Sequence, residues 1–388
     1  MKTAYICETS FHLFQCVRHV CACRNEGDTV DVYINENTDN RLKKRYVPEA
    51  AGLFDLVVRF DQEAVEVGHA GSVLSGLTCR YGKKDCYNTL KKKIAYSHFV
   101  RRALSMTGGT VSADRLVSYD KILAPAGTGF AWALSVINPR AEIVYYEDGI
   151  GGYYGDMFVM DHHADRLTEK LKGCGIDPER FRPTEYLVSY PEFSRSRTAP
   201  KISKLECGSP ESPEIKKALH KVFGDSCSRI YAENKIVYFS PLTVGDHPDY
   251  KIVAERNIKL CRNIDSLGEG FVIRPHPKEK NEIPNMKNGL TDTEAGQWEM
   301  IAMEQISDGH ILIGGCSTAQ LTPKLLFDRE PWVIFTYDEL FGGTGVEKKE
   351  IQGVMNILLE LYRDKDRVRI LKNGESVPNV LRQISAYQ

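Results

Sequence analysis

With 388 residues, 42% of them hydrophobic and 27% charged, the chain carries enough apolar material for two domains of roughly 150 to 200 residues each. The formal net charge of -1 excludes a global basic field of the kind that draws a protein to nucleic acid, so a polyanion could only be met by a local patch. Eleven cysteines, an odd number spread from Cys7 to Cys316 without CxxC pairs or a His at zinc spacing, favour reduced thiols inside a cell over a disulfide framework. Cys7, Cys16 and Cys316 sit in apolar surroundings where a thiol serves as a small core residue.

The opening MKTAYICETSFHLFQCV has one Lys and then a short apolar strand broken by Glu8, Thr9 and Ser10. A signal peptide needs a longer apolar run, and no stretch approaches the roughly 18 residues of a membrane span, so a cytoplasmic location is expected. TAYIC (3–7) reads as a strand, ETS as a turn or cap, FHLFQCVRHVCAC as a helix, and VDVYI (30–34) and LFDLVVRF (53–60) as two further strands. Strands alternating with helices from the first residues predict a parallel, Rossmann-like half.

The stretch 80–102, RYGKKDCYNTLKKKIAYSHFVRR, holds many Lys and Arg against the single acid Asp85. It reads either as the solvated face of a helix or as a surface for anionic lipid headgroups or an anionic glycan, a peripheral contact at the inner face of a membrane. KILAPA (121–126) then predicts a strand, GTGFAWALSVI a loop and helix, and AEIVYYEDGIGGYYGD (141–156) a strand entering a glycine-rich loop. The adjacent His162 and His163 suit an exposed turn better than shared metal ligation. Residues 191–234, rich in Pro, Ser and charge, are expected to link an N-terminal domain over 1–190 to a C-terminal domain over 235–388.

The second half restarts the alternation: KIVYFSPL (235–242), a helix over 249–266, FVIRP (271–275), a helix over 297–307, HILIGG (310–315), a helix within CSTAQLTPKLLF, PWVIFTYD (331–338), and terminal helices over 349–365 and 376–386. Three loops at strand ends concentrate polar chemistry. In Glu147-Asp148-Gly149, with Gly151 and Gly152 following, glycines allow sharp turns and two carboxylates can bind a sugar hydroxyl, act as a base or hold a metal. In Arg274-Pro275-His276-Pro277-Lys278 the prolines stiffen a loop that displays an imidazole, able to donate a hydrogen bond or proton to a phosphate, with Arg274 and Lys278 adding charge. In Gly314-Gly315-Cys316-Ser317-Thr318-Ala319, Ser317 and Thr318 open a helix whose N–H groups, hydroxyls and dipole suit a phosphate. The string lacks the GxxxxGK[ST] pattern of a P-loop hydrolase.

Taken with their order and spacing, YICETSFHLFQ, AEIVYYEDGIGG, KIVYFSPL, FVIRPHP and LIGGCSTAQL resemble segments of bacterial sialyltransferases of glycosyltransferase family 52, the lipooligosaccharide and capsular α-2,3 group. That resemblance implies an α/β, GT-B-like fold of two Rossmann-like domains facing a central cleft, the N-terminal one on the acceptor side. It implies an inverting, metal-independent transfer of sialic acid from CMP-sialic acid to a galactose-type hydroxyl, with no cofactor and with a homodimer allowed. It further implies a base within SPLTVGDHPDY, His276 as acid or phosphate ligand, Ser317 and Thr318 on the CMP phosphate, and Glu299 on a ribose hydroxyl. For the base, Asp246 is favoured because Gly245 permits a tight turn before it, while Asp249 suits a helix cap. A CDP-glycerol or other nucleotide-sugar transferase, or a glycan- or nucleotide-binding protein, stays open.

Overall fold

The computed structural model describes residues 1–36, 46–61, 96–126 apart from 98, 128–154, 172, 182–196, 199, 201–225, 229–279, 281–294, 296–347, 351–372 and 375–387. The basic stretch over 80–95 and the pair His162 and His163 lie outside them. The chain divides into two compact units, Met1–Gly224 and Asp225–Gln388. Each is a parallel sheet with helices between its strands, the α/β class expected.

In unit 1 the strands are β1 (Lys2–Cys7), β2 (Thr29–Asn35), β3 (Leu56–Phe60), β4 (Lys121–Ala124), β5 (Glu142–Tyr146), β6 (Glu185–Val188) and β7 (Ile202–Lys204). They pair in the order β3-β2-β1-β4-β5-β6-β7, parallel at every step, with Ile6 opposite Tyr33 and Ala4 opposite Ile122. Helices α1 (Ser10–Cys23) and α2 (Gly129–Ile137) cross between strands. Burial on both sheet faces explains why β1 and β4 read as continuous apolar runs rather than alternating ones, while the buried Asp31 that interrupts β2 is paired with Arg115 at 2.7 Å. The core gathers Ile6, Tyr33, Phe60, Phe130 and Tyr186.

The segment 191–234, expected as a crossing, belongs largely to unit 1. It supplies the edge strand β7 and helix α3 (Pro213–Phe223), where Pro213 sits in the first turn and costs no hydrogen bond. Ile215, Leu219, Val222 and Phe223 of α3 are buried, with the Phe223 ring 6.0 Å from that of Phe14 on α1. Pro and charge at one end of a helix imitate a linker when the apolar spacing behind them is short.

Unit 2 holds β8 (Ile236–Phe239), β9 (Phe271–Arg274), β10 (Gly289–Thr291), β11 (Ile311–Gly314), β12 (Trp332–Phe335) and β13 (Val368–Ile370) in the order β10-β9-β8-β11-β12-β13, again all parallel. Its helices include α4 (Tyr250–Asp265), α5 (Trp298–Gln305), α6 (Thr318–Phe327), α7 (Tyr337–Phe341), α8 (Ile351–Leu361) and α9 (Val377–Tyr387). In both units the chain runs outward over three strands and then crosses back, so the order reverses between β1 and β4 and between β8 and β11. Loops leaving such a pair diverge to opposite faces and open a crevice at the carboxyl edge.

Candidate functional site

The loops expected to carry chemistry in unit 2 leave three neighbouring strands, β9, β8 and β11, at one edge of the sheet. Glu279, buried, clasps two of them: it accepts the Thr243 N–H at 2.5 Å and hydroxyl at 2.8 Å, and its own N–H donates to the His276 carbonyl at 2.8 Å. This clasp, which the sequence pattern did not signal, fixes the β9 loop against the β8 loop.

His276 is half-buried, and its Nδ1 accepts the Lys278 N–H at 3.2 Å across Pro277. An accepting Nδ1 leaves the hydrogen of the neutral ring on Nε2, which makes that atom a donor. Pro277 and Lys278 are exposed. Arg274 is not presented as expected: its guanidinium is bound by Asp292 Oδ2 at 2.6 Å, the Gly296 carbonyl at 2.6 Å and the Tyr231 hydroxyl at 3.0 Å. It lies over the Trp298 ring, 5.3 Å from the centroid, so its charge anchors the end of β9.

In the β8 loop Asp246 is exposed, while Asp249 accepts the Gly345 N–H at 2.6 Å. Asp249 stands at the N-cap of α4, as expected of a cap residue, but its side chain caps nothing there. Gly245 is required for a different reason from the tight turn expected: its φ is not positive, and a Cβ would collide with the ring of Tyr250. A second His-Pro pair, His247-Pro248, repeats the device of His276, with Nδ1 accepting the Asp249 N–H at 3.2 Å.

The β11 loop is held from within. Gln320, fully buried, accepts the N–H groups of Cys316 at 2.9 Å and Ser317 at 3.2 Å, so these two amides do not face a ligand as the glycine-rich string suggested. Ser317 stands at the N-cap of α6, where its carbonyl accepts the Gln320 N–H at 3.0 Å; its hydroxyl is buried and closes no hydrogen bond among the described residues. A buried hydroxyl left over at a positive helix end is suited to an anion. Thr318 begins the helix beside it. Cys316 has φ 103°, a conformation costly for any residue with a Cβ, and burial pushes its thiol up to about 12, so it is a bend and not a nucleophile.

Glu299 is buried in the first turn of α5, and burial pushes it up to about 7 against the opposing influence of Arg274 and the Gln297 amide, which donates to Oε2. Trp298 beside it donates to the Ala319 carbonyl at 2.8 Å, fastening α5 to α6.

In unit 1 the adjacent carboxylates after β5 are turned apart. Glu147 is buried and fully engaged, accepting from Gln15 at 2.7 Å, Tyr153 at 2.9 Å, and the N–H and hydroxyl of Ser189. Asp148 faces outward with its side chain 51% exposed, 3.0 Å from Nε2 of His12. Gly149, at φ 56°, supplies the left-handed turn that follows them. Among the described residues no group of three or more His, Cys, Asp or Glu could hold a metal ion, and no helix is long and apolar enough to cross a membrane.

No protein-family model matches the chain, and no curated protein matches it. Among solved structures it is similar to the glycosyltransferase SnogD from Streptomyces nogalater, with 13% identity over 100% of this chain and 99% of that one and a TM-score of 0.43. It is also similar to UGT89C1 of Arabidopsis thaliana complexed with UDP, with 12% identity, the same coverage and a TM-score of 0.45. The UDP-GlcNAc 2-epimerase of Neisseria meningitidis bound to UDP-GlcNAc gives 13% identity, again 100% and 99% coverage, and a TM-score of 0.44.

Proposed function

We propose that the chain is an inverting, metal-independent glycosyltransferase of GT-B type that moves sialic acid from CMP-sialic acid to a galactose-type hydroxyl of a surface glycan. The observation that carries this reading is the placement of Asp246, His276 and Ser317 on the loops of three adjacent strands, two of which flank the point where strand order reverses. Ser317, with Thr318 and the α6 dipole, takes the single phosphate of CMP; Nε2 of His276 donates to the phosphate oxygen that leaves. Asp246, exposed, accepts the proton of the attacking hydroxyl, and attack opposite the departing CMP inverts the anomeric carbon through an oxocarbenium-like state. A monophosphate leaving group carries less charge than a diphosphate, so a donor imidazole and a helix end can replace a divalent ion. Glu299 remains the candidate for a ribose hydroxyl, and the basic stretch 80–102 for a contact with anionic lipid at the inner face of the membrane.

The test is release of CMP from CMP-sialic acid in the presence of lactose and EDTA. His276→Ala should lower turnover by about 10²- to 10⁴-fold, the usual range for general acid catalysis, while changing the CMP affinity far less. Release from CDP-glycerol or a UDP-sugar, with none from CMP-sialic acid, would replace the donor in this reading. Binding of CMP without turnover of any donor would make the chain a binding protein.

A further inference from the structure

Unit 1 carries a second group of polar side chains at the carboxyl edge of its own sheet. Glu8 follows β1, Asn35 ends β2, Thr128 precedes α2, and Asp148 lies two residues past β5. These surround the β1/β4 pair across which the strand order of this unit reverses. His12, on the first turn of α1 with its side chain 1% exposed, ties them together. Its Nδ1 accepts the N–H groups of Glu8 at 3.2 Å and Thr9 at 3.1 Å, and its ring stands edge-on to Tyr146 at 5.5 Å between centroids. With Nδ1 accepting, Nε2 bears the hydrogen and faces Asp148 Oδ1 at 3.0 Å, where it closes no in-line hydrogen bond. One oxygen of Glu8 accepts from the Asn35 amide; the other, Oε1, is buried with no hydrogen-bond partner.

The two carboxyl groups are pushed in opposite directions. Burial raises Glu8 against the Asn35 amide, with the Asp148 charge adding to the rise. Burial works the same way on Asp148, but the facing His12 outweighs it and holds the carboxyl below the usual carboxylate range. Among the described residues the titratable groups acting on the pair are His12 on α1 and the two carboxyls themselves, with no Lys or Arg among them. Among the described residues an anionic ligand finds no Lys or Arg acting on the pair, and a metal ion finds no three-ligand group. A neutral molecule with neighbouring hydroxyls matches an ionised acceptor beside a carboxyl with one unused oxygen.

We propose that Glu8 and Asp148 bind adjacent hydroxyls of a neutral sugar in the β1/β4 crevice of unit 1, with His12 as the positioning residue that fixes both. This deepens the transferase reading by naming the groups that take the acceptor, and rests on it for the choice of sugar.

The experiment is calorimetric titration of the full chain with lactose at neutral pH, with CMP titrated in parallel and thermal melts to confirm folding. Glu8→Gln and Asp148→Asn should each weaken lactose binding about 10-fold or more, the scale of a lost hydrogen bond to a charged group, and leave CMP binding unchanged. His12→Asn keeps an acceptor for the two N–H groups but loses the contact with Asp148; acidification should then abolish lactose binding at a higher pH than in the wild type. Lactose binding indifferent to Glu8→Gln and Asp148→Asn overturns the assignment, as does CMP binding with no lactose binding, or a response of the same two residues to Mg²⁺ instead. Lactose binding through Glu8 and Asp148 with no CMP binding would leave this site standing and remove CMP-sialic acid as the donor.

Discussion

Replacing Asp292 by alanine should expose how the His276 loop is held. Arg274 and Asp292 are 13% and 3% exposed, 2.6 Å apart, and both bond to the Tyr231 hydroxyl. Removing the carboxylate leaves a buried guanidinium with a tyrosine and a carbonyl as hydrogen-bond partners and only the raised Glu299 carboxyl near it, a change of the kind that typically costs about 3–5 kcal/mol. Each kcal/mol lowers the melting temperature of a domain of this size by roughly 2–4 °C, so a drop on the order of 10 °C is expected by scanning calorimetry. The double variant Arg274→Met with Asp292→Leu removes both charges and keeps apolar volume, and should recover most of the loss. A single-variant drop under about 3 °C, or a double variant no more stable than the single, would refute the assignment of Arg274 to anchoring and return its charge to the ligand.

Two further perturbations follow from the neighbouring groups. Glu299, raised from 4.5 to about 7, keeps its proton in the folded chain where the unfolded chain has lost it, so its contribution to stability is present below about pH 4.5 and is lost as the pH rises to about 7. Against Glu299→Gln, urea unfolding of the wild type should therefore show an added loss of up to about 3 kcal/mol between pH 4.5 and 8, and parallel curves would contradict the burial argument. At Cys316, the positive φ predicts that Cys316→Val lowers stability by about 1–3 kcal/mol while Cys316→Gly is neutral or stabilising; equal losses would mean that the thiol's packing, and not the backbone, governs the position.

The sequence announces the inner strands clearly, because β1, β8, β9, β11 and β12 are buried and read as short apolar runs between Gly, Pro or charge. It hides the edges. β7 and β10 have three residues each and are largely uncovered, so ISK and GLT carry no pattern to read. At the candidate sites the loops were legible from their glycines and prolines, but the direction of each side chain was not. Arg274, Glu147 and the Cys316 amide all turn inward because a buried partner elsewhere in the chain, Asp292, Gln15 or Gln320, claims them. Gln15 lies 132 residues from Glu147 and Asp292 lies 18 from Arg274, beyond any local spacing, whereas Gln320 stands at the S-x-x-Q spacing after Ser317 that a sequence does display.

Among the described residues four histidines share one local device, and burial decides what each can do with it. His12, His247, His276 and His310 all use Nδ1 to accept a backbone N–H close by in sequence: from Glu8 and Thr9, Asp249, Lys278 and Ser307 respectively. The neutral ring then has its hydrogen on Nε2 in every case, at no cost in side-chain partners. In His310 that atom pairs with the Tyr231 carbonyl at 2.9 Å inside the core, which makes the residue structural. In His12 it faces Asp148, and the imidazole governs a carboxylate without reaching solvent itself. Only His247 and His276 bring the same fixed donor to the surface, and both are held there by a proline in the next position. A proline that lacks an N–H cannot compete for Nδ1, so the residue after it makes the contact and the ring stands away from the backbone. The His-Pro dipeptide therefore fixes a donor at Nε2 before any ligand arrives, and His276, half-buried where His247 is exposed, is the more enclosed of the two.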